Sequence, residues 1–448
     1  MTEGWFSNII VSITDFICGY PLFVLLIGGG LFLFIYSGAL PIRKFKLAID
    51  SLHMKHCGEG HVSSFQALMS TISSTVGMGN IAGVAIALCV GGPGVIFWMW
   101  VSAILGMATK FFEGTLAIMY KGKDANGIAQ GGPMYVITEG ISNRLKPLAV
   151  FFSFSALFGC LVMMQANQLT ESICQIFIAP TGIECGFTTK LLVGIIIGGI
   201  VAYVVFGGIK RISRVATKIV PLMVGFYFIM VFGIMIAYHD RLPQVFIEIY
   251  EGAFCWEAGF GAFAAVAVTG ARRAMYVNEA GVGTAGMMHG ASMNAEPVRE
   301  GLVAMLGPII DSGLVCTLSS IPMIMAGLYH VEGVQGLSIA LNTFDSLIPV
   351  IGKYLLEFVV IVFAFSTMFS YSWYGNLCTG YLFGPKHEKK YRYFYVVSIV
   401  IASVVSLGVA VSIMDLAFAL MAIPNMIAVF ILAPKVKKET KTYFNQLK

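Results

Sequence analysis

The chain has 448 residues, of which 58% are hydrophobic and only 11% are charged. Soluble globular proteins carry about 25% charged residues, so the composition excludes an ordinary soluble domain. The net charge of +5 comes without the basic and aromatic cluster that nucleic-acid binding requires, and we expect no nucleic-acid partner. Segments of about 20 apolar residues recur along the whole chain, which predicts an all-α protein that crosses the lipid bilayer many times.

A window of about 19 residues predicts eleven transmembrane helices. In chain order they cover residues 18–40, 67–90, 94–119, 148–178, 191–208, 218–238, 259–288, 300–328, 354–376, 393–412 and 415–433. The first has no cleavable-signal pattern around it, so we expect it to be retained. Residues 1–66 then comprise this helix and a cytoplasmic interfacial loop, and residues 434–448 form a basic cytoplasmic tail.

Most of the basic residues fall in loops on one side of the predicted bundle. These loops hold the basic residues within 43–55, 121–146, 210–218, 272–299, 386–392 and the C-terminal tail. Lys and Arg concentrate in cytoplasmic loops. We therefore predict a multi-pass protein of the cell membrane, with its N-terminus outside and its C-terminus in the cytoplasm.

The first cytoplasmic loop contains the stretch "HMKHCGEGH". Its candidate metal ligands are His53, His56, Cys57 and His61. This spacing suits a transition metal, but we favour an amphipathic interfacial helix over residues 43–55, ended by Gly58 and Gly60. The nine cysteines include no CxxC pair, so neither a disulfide framework nor a zinc site is indicated.

The last ten predicted helices divide into two groups of five, at residues 67–238 and 259–433. Five spans per unit give the two units opposite orientation, as in transporters built from inverted repeats. Each unit opens with a glycine-rich helix. The clusters are Gly77, Gly79 and Gly83 in the first unit, and Gly259, Gly261 and Gly270 in the second. Glycine destabilises a helix interior by about 1 kcal/mol relative to alanine, so we predict breaks at these clusters, with close helix packing as the alternative.

A break in a membrane helix has chemical consequences. Freed amides can hold a carboxylate, and freed carbonyls can coordinate a small cation. The eighth helix of this group of ten, "VVIVFAFSTMFSYSWYGN", carries Ser366, Thr367 and Ser370 near its centre. These hydroxyls either bond back to their own helix or complete a cation site facing the first broken helix, and the pattern alone leaves both open.

Several long motifs, in order, resemble the alanine or glycine:cation symporter family. They read "TVGMGNIAGVAIAL", "GGPGVIFWMWVSAILGMATKFFEGTLA", "QGGPMYVI", "NEAGVGTA", "PVREGLVAMLGPIID", "FSTMFSYSWYGN" and "AIPN". The resemblance extends from about residue 65 to residue 433. It implies a sodium-coupled symporter with a five-plus-five inverted-repeat fold, which imports small neutral amino acids such as alanine or glycine by alternating access. It implies no enzyme activity, no organic cofactor and no obligate protein partner.

The resemblance also implies which residues bind the cargo. The sodium ligands are Ser73, Val76, Phe363, Ser366 and Thr367. The amino-acid site comprises Gly77, Met78, Gly79, Asn80, Gly83, Gln165, Phe263, Thr367 and Met368. In this expectation the amides of residues 77–79 hold the carboxylate, Gln165 in "MMQANQ" reaches the polar end of the ligand, and Phe263 closes over it.

The chain departs from the family pattern at several positions. They are Met78, Met164, Ser370, Tyr371 and Asn376. A bulky Met78 beside the carboxylate either shrinks the pocket toward glycine and alanine or points elsewhere.

Charged residues near membrane depth raise further hypotheses. Glu113 and Asp311 are functional candidates because they are ionisable. One hypothesis is that Asp311 carries a proton, so that protons and not sodium drive transport. The alternative is that the carboxylate is structural, buried and hydrogen-bonded to neighbouring hydroxyls or amides. Arg272, Arg273 and Glu279 suggest a gate in the cytoplasmic half of the sixth helix, or an interfacial anchor. A channel is the alternative from a different class, but no loop contains a filter sequence.

Overall fold

The computed structural model describes residues 14, 17–52, 58, 60–123, 127, 129–254, 260–330 and 336–446. Helices dominate these residues, as predicted. The strands are a short antiparallel pair, Gly122–Lys123 with Ala129–Gln130, in which Gly122 pairs with Gln130. An isolated bridge joins Val62 to Ser292. Of the predicted metal cluster, His53, His56 and Cys57 lie outside the described residues.

The helices of the described part follow the predicted spans. An N-terminal helical stretch, Tyr20–Tyr36, precedes two short helices, Leu40–Arg43 and Phe45–Ser51. Ten further spans, named core helices 1 to 10, are Ser64–Thr75 with Gly79–Gly91, Val95–Met119, Asn143–Thr181, Phe187–Val205, Gly208–Ala237, Phe260–Asn278 with Thr284–His289, Pro297–Ala326, Gly352–Phe383, Glu388–Ala402 and Leu407–Gln446. Shorter helices lie between them at Pro133–Tyr135, Val136–Ile141, Leu242–Ala253 and Leu337–Leu347.

Among the described residues, seven helices are long and apolar enough to cross a membrane, or eight if the bent core helix 1 counts as one. The N-terminal helix, core helix 6 and core helix 9 are shorter or more polar than that test allows. The number of eleven spans therefore stays a prediction, and so do the repeat boundaries 67–238 and 259–433.

Local sequence explains how core helix 1 begins. Ser63 precedes the first turn, and its side chain accepts a hydrogen bond from the Gln66 amide. The Gln66 side chain in turn accepts one from the Ser63 amide at 3.0 Å. This reciprocal cap satisfies two amides that a helix start leaves unpaired.

Core helices 2 and 7 pack so closely that their contact requires glycine. A Cβ added at Gly114 would lie 2.6 Å from Ala304 Cβ, and one added at Gly301 would lie 2.6 Å from the Phe111 carbonyl. Small residues let membrane helices approach in this way. Peripheral helices instead expose apolar side chains, such as Ile196 and Ile229, and we expect that surface to face lipid.

The ends of the helices lie on two opposite sides of the helix bundle. On one side, here called the basic side, the chain before core helix 1 pairs with the segment after core helix 6, and Lys121 Nζ donates to the Ser292 carbonyl at 2.6 Å. On the opposite side, the end of core helix 1 lies against core helices 2 and 6, since a Cβ added at Gly91 would meet Val95 and Thr269. Core helix 6 thus begins opposite the basic side.

Candidate functional site

Core helix 1 is broken where the sequence predicts it. The helix ends at Thr75, Val76 is extended (φ −78°, ψ 100°), and a helix resumes at Gly79 with a bend of 53°. The Gly77 amide donates to Asn80 Oδ1 at 2.8 Å, so a side chain satisfies one of the amides that the break frees. Asn80 is fully buried.

The break in core helix 6 is not where the glycines of "GFGAFAAVAVTGARR" place it. Phe260–Asn278 is continuous through Gly261 and Gly270, and Gly259 lies outside the described residues. The backbone leaves the helix at Glu279 (φ 52°), Gly281 (φ 91°) and Gly283 (φ 98°). The predicted position is therefore wrong. Gly270 serves packing instead, since an added Cβ would lie 2.5 Å from the Val95 carbonyl.

Polar side chains from other helices hold this second break in shape. Glu113 Oε1 accepts hydrogen bonds from the Gly281 amide at 3.1 Å and from Asn425 Nδ2 at 2.5 Å. Asn425 Nδ2 also donates to the Gly281 carbonyl at 2.8 Å. Glu279 accepts hydrogen bonds from the Tyr371 and Thr284 hydroxyls. Glu113 is therefore a buried, hydrogen-bonded carboxylate that supports unwound backbone. The sequence offered such a structural role as one alternative but did not identify its partners.

Hydroxyls of core helices 1 and 8 meet beside the first break. Ser73 Oγ donates to the Ser366 carbonyl at 2.9 Å, and Ser370 Oγ donates to Ser73 Oγ at 2.9 Å. Ser366 Oγ and Thr367 Oγ1 both donate to the Phe363 carbonyl, at 2.9 and 3.0 Å. We call Ser73, Phe363, Ser366, Thr367 and Ser370 the hydroxyl cluster. Ser366 and Thr367 thus bond back to their own helix, whereas Ser370 bonds to core helix 1. That the cluster completes a cation site stays a prediction.

The hydroxyl cluster touches the break directly. A Cβ added at Gly77 would lie less than 3.0 Å from Thr367 Oγ1 and 3.7 Å from the Phe363 carbonyl. Only glycine permits this approach. The oxygens of the cluster are all neutral, and hard monovalent cations bind to such oxygens of hydroxyls and unwound carbonyls. Val76, predicted as a ligand, is the extended residue just before Gly77.

A small cavity, here called the central cavity, lies between the two breaks. It is lined by Ser74, Thr75, Gly77, Gly79, Met164, Gln165, Arg273, Tyr276, Val277, Glu279, Tyr371, Met414 and Phe418. Its volume of about 20 Å³ holds a single water molecule. The cavity as it stands is therefore too small for an amino acid.

Of the predicted amino-acid site, Gly77, Gly79 and Gln165 line this cavity. Gln165 is 7% exposed, and its Oε1 has no hydrogen-bond partner among the described residues. Two of the departures from the family pattern, Met164 and Tyr371, line the cavity, whereas Met78 is fully buried outside the lining.

The other predicted residues lie around the cavity or away from it. Thr367 contacts Gly77, as described above. Gly83 lies under the Arg273 guanidinium, with Nη1 at 3.2 Å from an added Cβ. The Met368 carbonyl accepts the Tyr395 hydroxyl at 2.6 Å. Phe263 packs edge-on against Trp98 at 5.4 Å, and at 1.5 Å per residue it lies roughly 20 Å along the helix from Val277.

One further ionisable group lies beside the first break, and another is buried in core helix 2. Asp311 Oδ2 accepts the Thr75 hydroxyl at 2.6 Å, and the Asp311 carbonyl accepts Asn80 Nδ2 at 3.3 Å. Lys110 of core helix 2 is fully buried, and its Nζ has no hydrogen-bond partner among the described residues. The sequence marked Lys110 only as a basic residue within a span.

A larger cavity of about 450 Å³, here called the vestibule, lies between the central cavity and the side opposite the basic side. Arg272 pairs there with Asp415 across 3.6 Å. Arg273 and Tyr276 line both the vestibule and the central cavity, so a single layer of side chains separates the two. The arginines therefore lie opposite the basic side and not among the basic loops with which the sequence grouped them, because core helix 6 starts opposite that side. Their role as a gate stays a prediction.

A network of buried hydrogen bonds lies on the basic side. Buried Glu300 accepts hydrogen bonds from Ser64 Oγ at 2.5 Å, His289 Nδ1 at 2.6 Å, Ser292 Oγ at 3.0 Å and Asn294 Nδ2 at 3.1 Å. We call these five residues the Glu300 network. It joins the starts of core helices 1 and 7 to the end of core helix 6. Sequence reasoning missed it, because its members are dispersed over more than 200 positions.

Comparisons with known proteins agree with this architecture. A family model described as "Sodium:alanine symporter family" matches residues 3–448. The chain is 36% identical to the sodium/alanine symporter AgcS of Methanococcus maripaludis, over 99% of this chain and 98% of that protein. It is 31% identical to the probable sodium/glutamine symporter GlnT of Bacillus subtilis, over 99% and 91%.

Among solved structures, the chain is similar to MhsT, crystallised in complex with L-phenylalanine. The TM-score is 0.61 at 14% identity, and the match covers 84% of this chain and 89% of that one. This likeness concerns the fold, and it confirms the predicted inverted-repeat transporter architecture. The family resemblance of the motifs is confirmed by the match along the whole chain. The protein is a multi-pass membrane transporter of the amino-acid symporter type, and it belongs to the sodium:alanine symporter family.

Proposed function

We propose that the chain is a sodium-driven importer of a small neutral amino acid, alanine or glycine, in the cell membrane. The observation that carries the proposal is the contact between Thr367 of the hydroxyl cluster and Gly77 of the first break. An ion held by the cluster orders the same backbone that lines the central cavity. Ion and amino acid then raise each other's affinity, because each stabilises the arrangement that the other binds.

The chemistry of the hydroxyl cluster suits a small monovalent cation as transported ion. Ser73, Ser366 and Thr367 supply hydroxyl oxygens, and Phe363 supplies a carbonyl. Neutral oxygens can coordinate a singly charged cation, whereas divalent cations favour carboxylates. We therefore propose sodium as the coupling ion at this position.

The amino acid would occupy an enlarged central cavity. Its carboxylate would meet the amides at the start of the half-helix that begins at Gly79, where the helix dipole favours an anion. The Gly77 amide already donates to Asn80, so Met78 and Gly79 are the better donors. Gln165 Oε1 would accept a hydrogen bond from the ammonium group. Met164 limits the room for a side chain, which favours alanine or glycine.

Alternating access would use the two unequal closures. In this conformation one layer, Arg273 with Tyr276, separates the cavity from the vestibule, whereas the Glu300 network closes the basic side. We propose that the vestibule faces the outside and the basic side faces the cytoplasm, in line with the predicted positive-inside orientation. Entry then needs a small movement of Arg273 and Tyr276, and release requires the Glu300 network to open.

Uptake into proteoliposomes tests the proposal. Alanine or glycine uptake should require an inward sodium gradient, and the double variant Ser366→Ala/Thr367→Ala should need at least about tenfold more sodium, since it loses two ion ligands. Ser372→Ala is the matched control, because within the described residues this buried hydroxyl of the same helix bonds only to the Phe369 carbonyl, at 2.6 Å. Uptake that persists unchanged without sodium would refute sodium coupling.

Proton coupling through Asp311 is the second candidate. Asp311 is fully buried, and its Oδ1 has no hydrogen-bond partner among the described residues. A carboxyl group in this position could carry a proton beside the first break. Under this alternative, a pH gradient would drive uptake in sodium-free buffer, and Asp311→Asn would abolish that uptake while amino-acid exchange continued.

A further inference from the structure

A second cavity, remote from the central one, opens on the basic side. Its volume is about 380 Å³. One wall is formed by the turn after the N-terminal helix, the floor by Phe111 and Phe112 of core helix 2, and the other wall by the end of core helix 10. We call it the basic cavity. It lies where the helices end on the side of the basic loops.

Four cations line the basic cavity, namely Arg43, Lys44, Lys437 and Lys441. Among the described residues, neither an aspartate nor a glutamate lines the cavity, and none of the four cations forms an ion pair. Lys437 and Lys441 stand four residues apart, so they share one face of core helix 10. Four positive charges around one space repel each other, and an anion between them removes that repulsion.

Aromatic rings hold two of the ammonium groups in place. Lys437 Nζ lies 4.0 Å from the centre of the Tyr36 ring, and Lys44 Nζ lies 4.6 Å from that of Phe444. Cation–π contacts of this kind fix a charge without neutralising it. The cavity is therefore preorganised for an anionic group.

The surroundings point to a lipid as the source of the anion. Ile35 and Ile42, on either side of the turn that lines the cavity, are 68% and 62% exposed. The N-terminal helix also exposes Phe32. An anionic headgroup in the cavity would place its acyl chains along this apolar surface, and basic pockets between transmembrane helices on the cytoplasmic side bind such headgroups.

We propose that the basic cavity binds the phosphate of an anionic phospholipid, such as phosphatidylglycerol. Bound there, the lipid bridges the N-terminal helix and core helix 10 across core helix 2. The site is independent of the sodium and amino-acid sites. Its occupation would stabilise the fold without requiring either cargo.

The test measures the thermal stability of the full-length protein in detergent, with phosphatidylglycerol, phosphatidylcholine or inorganic phosphate added. Of the three additives, only phosphatidylglycerol should raise the melting temperature, and native mass spectrometry should detect it bound to the protein. In the variant Lys437→Gln/Lys441→Gln, the concentration of phosphatidylglycerol needed for the same rise in melting temperature should increase about 30-fold, because two basic contacts are lost. The control Lys389→Gln/Lys390→Gln removes two exposed lysines of the same side outside the cavity and should behave like the parent protein.

Three results would overturn the proposal. An equal loss in the control would indicate unspecific attraction to a basic surface. Equal stabilisation by inorganic phosphate would assign the cavity to a soluble anion. Equal stabilisation by phosphatidylcholine would show that charge plays no part.

Discussion

The contact between Gly77 and Thr367 yields a prediction with an internal check. Gly77 does not have a positive φ, so its backbone would accept alanine, and only space excludes the methyl group. That methyl would lie less than 3.0 Å from Thr367 Oγ1 but 3.4 Å from Thr367 Cβ. Thr367 Oγ1 cannot rotate away without giving up its hydrogen bond to the Phe363 carbonyl.

The expected loss follows from these distances. Overpacking by one methyl group in a close-packed region costs about 1–3 kcal/mol, so Gly77→Ala should lower the unfolding free energy by about 2 kcal/mol. Thr367→Ala alone should cost about 1 kcal/mol, the value of one hydrogen bond. In the double variant the methyl group meets Cβ at an ordinary distance. The double variant should therefore be more stable than Gly77→Ala, although the two losses would otherwise add.

The assay is chemical or thermal unfolding of the four proteins in detergent, with and without sodium. A given sodium concentration should stabilise the parent protein more than either variant that lacks the Thr367 hydroxyl. If the double variant is no more stable than Gly77→Ala, the clash is not with Thr367, and the geometry of the ion site argued above fails.

Two further predictions concern the cavity and the closure of the basic side. Met164→Ala should enlarge the central cavity and let larger neutral amino acids compete with alanine, at a cost of about 2 kcal/mol in stability. Competition assays measure this change in substrate range. An unchanged range would contradict the proposal that Met164 limits the size of the amino acid. Glu300→Gln should weaken the bonds to Ser64 and His289, lower stability by about 2 kcal/mol because hydrogen bonds to a buried charge are lost, and favour the conformation open on the basic side. Labelling of a cysteine introduced at Ser74, measured from each side of the membrane, reports that shift, and unchanged accessibility from the basic side would count against the Glu300 network as a gate.

Local patterns in the sequence determined the class of the protein. Runs of about 20 apolar residues specify membrane helices because no other chain segment satisfies its backbone in lipid. The cluster around Gly77 located the first break for a similar local reason, since glycines and hydroxyls there weaken one particular turn. One short stretch of sequence was also enough to select the hydroxyls of Ser366 and Thr367, and the structure places Thr367 beside the first break.

Tertiary structure decided what depends on residues far apart in the chain. The second break lies at Glu279–Gly283 because Glu113 and Asn425, from two other helices, bind its freed amide and carbonyl. Composition alone favoured the earlier glycines, which instead make room for a neighbouring helix. Arg272 lies opposite the basic side because of the direction of its helix. Met164, from another helix, lines the cavity, whereas Met78 beside the break does not. Such facts are set by three-dimensional packing, in which contacts between distant segments select among conformations that local sequence leaves nearly equal.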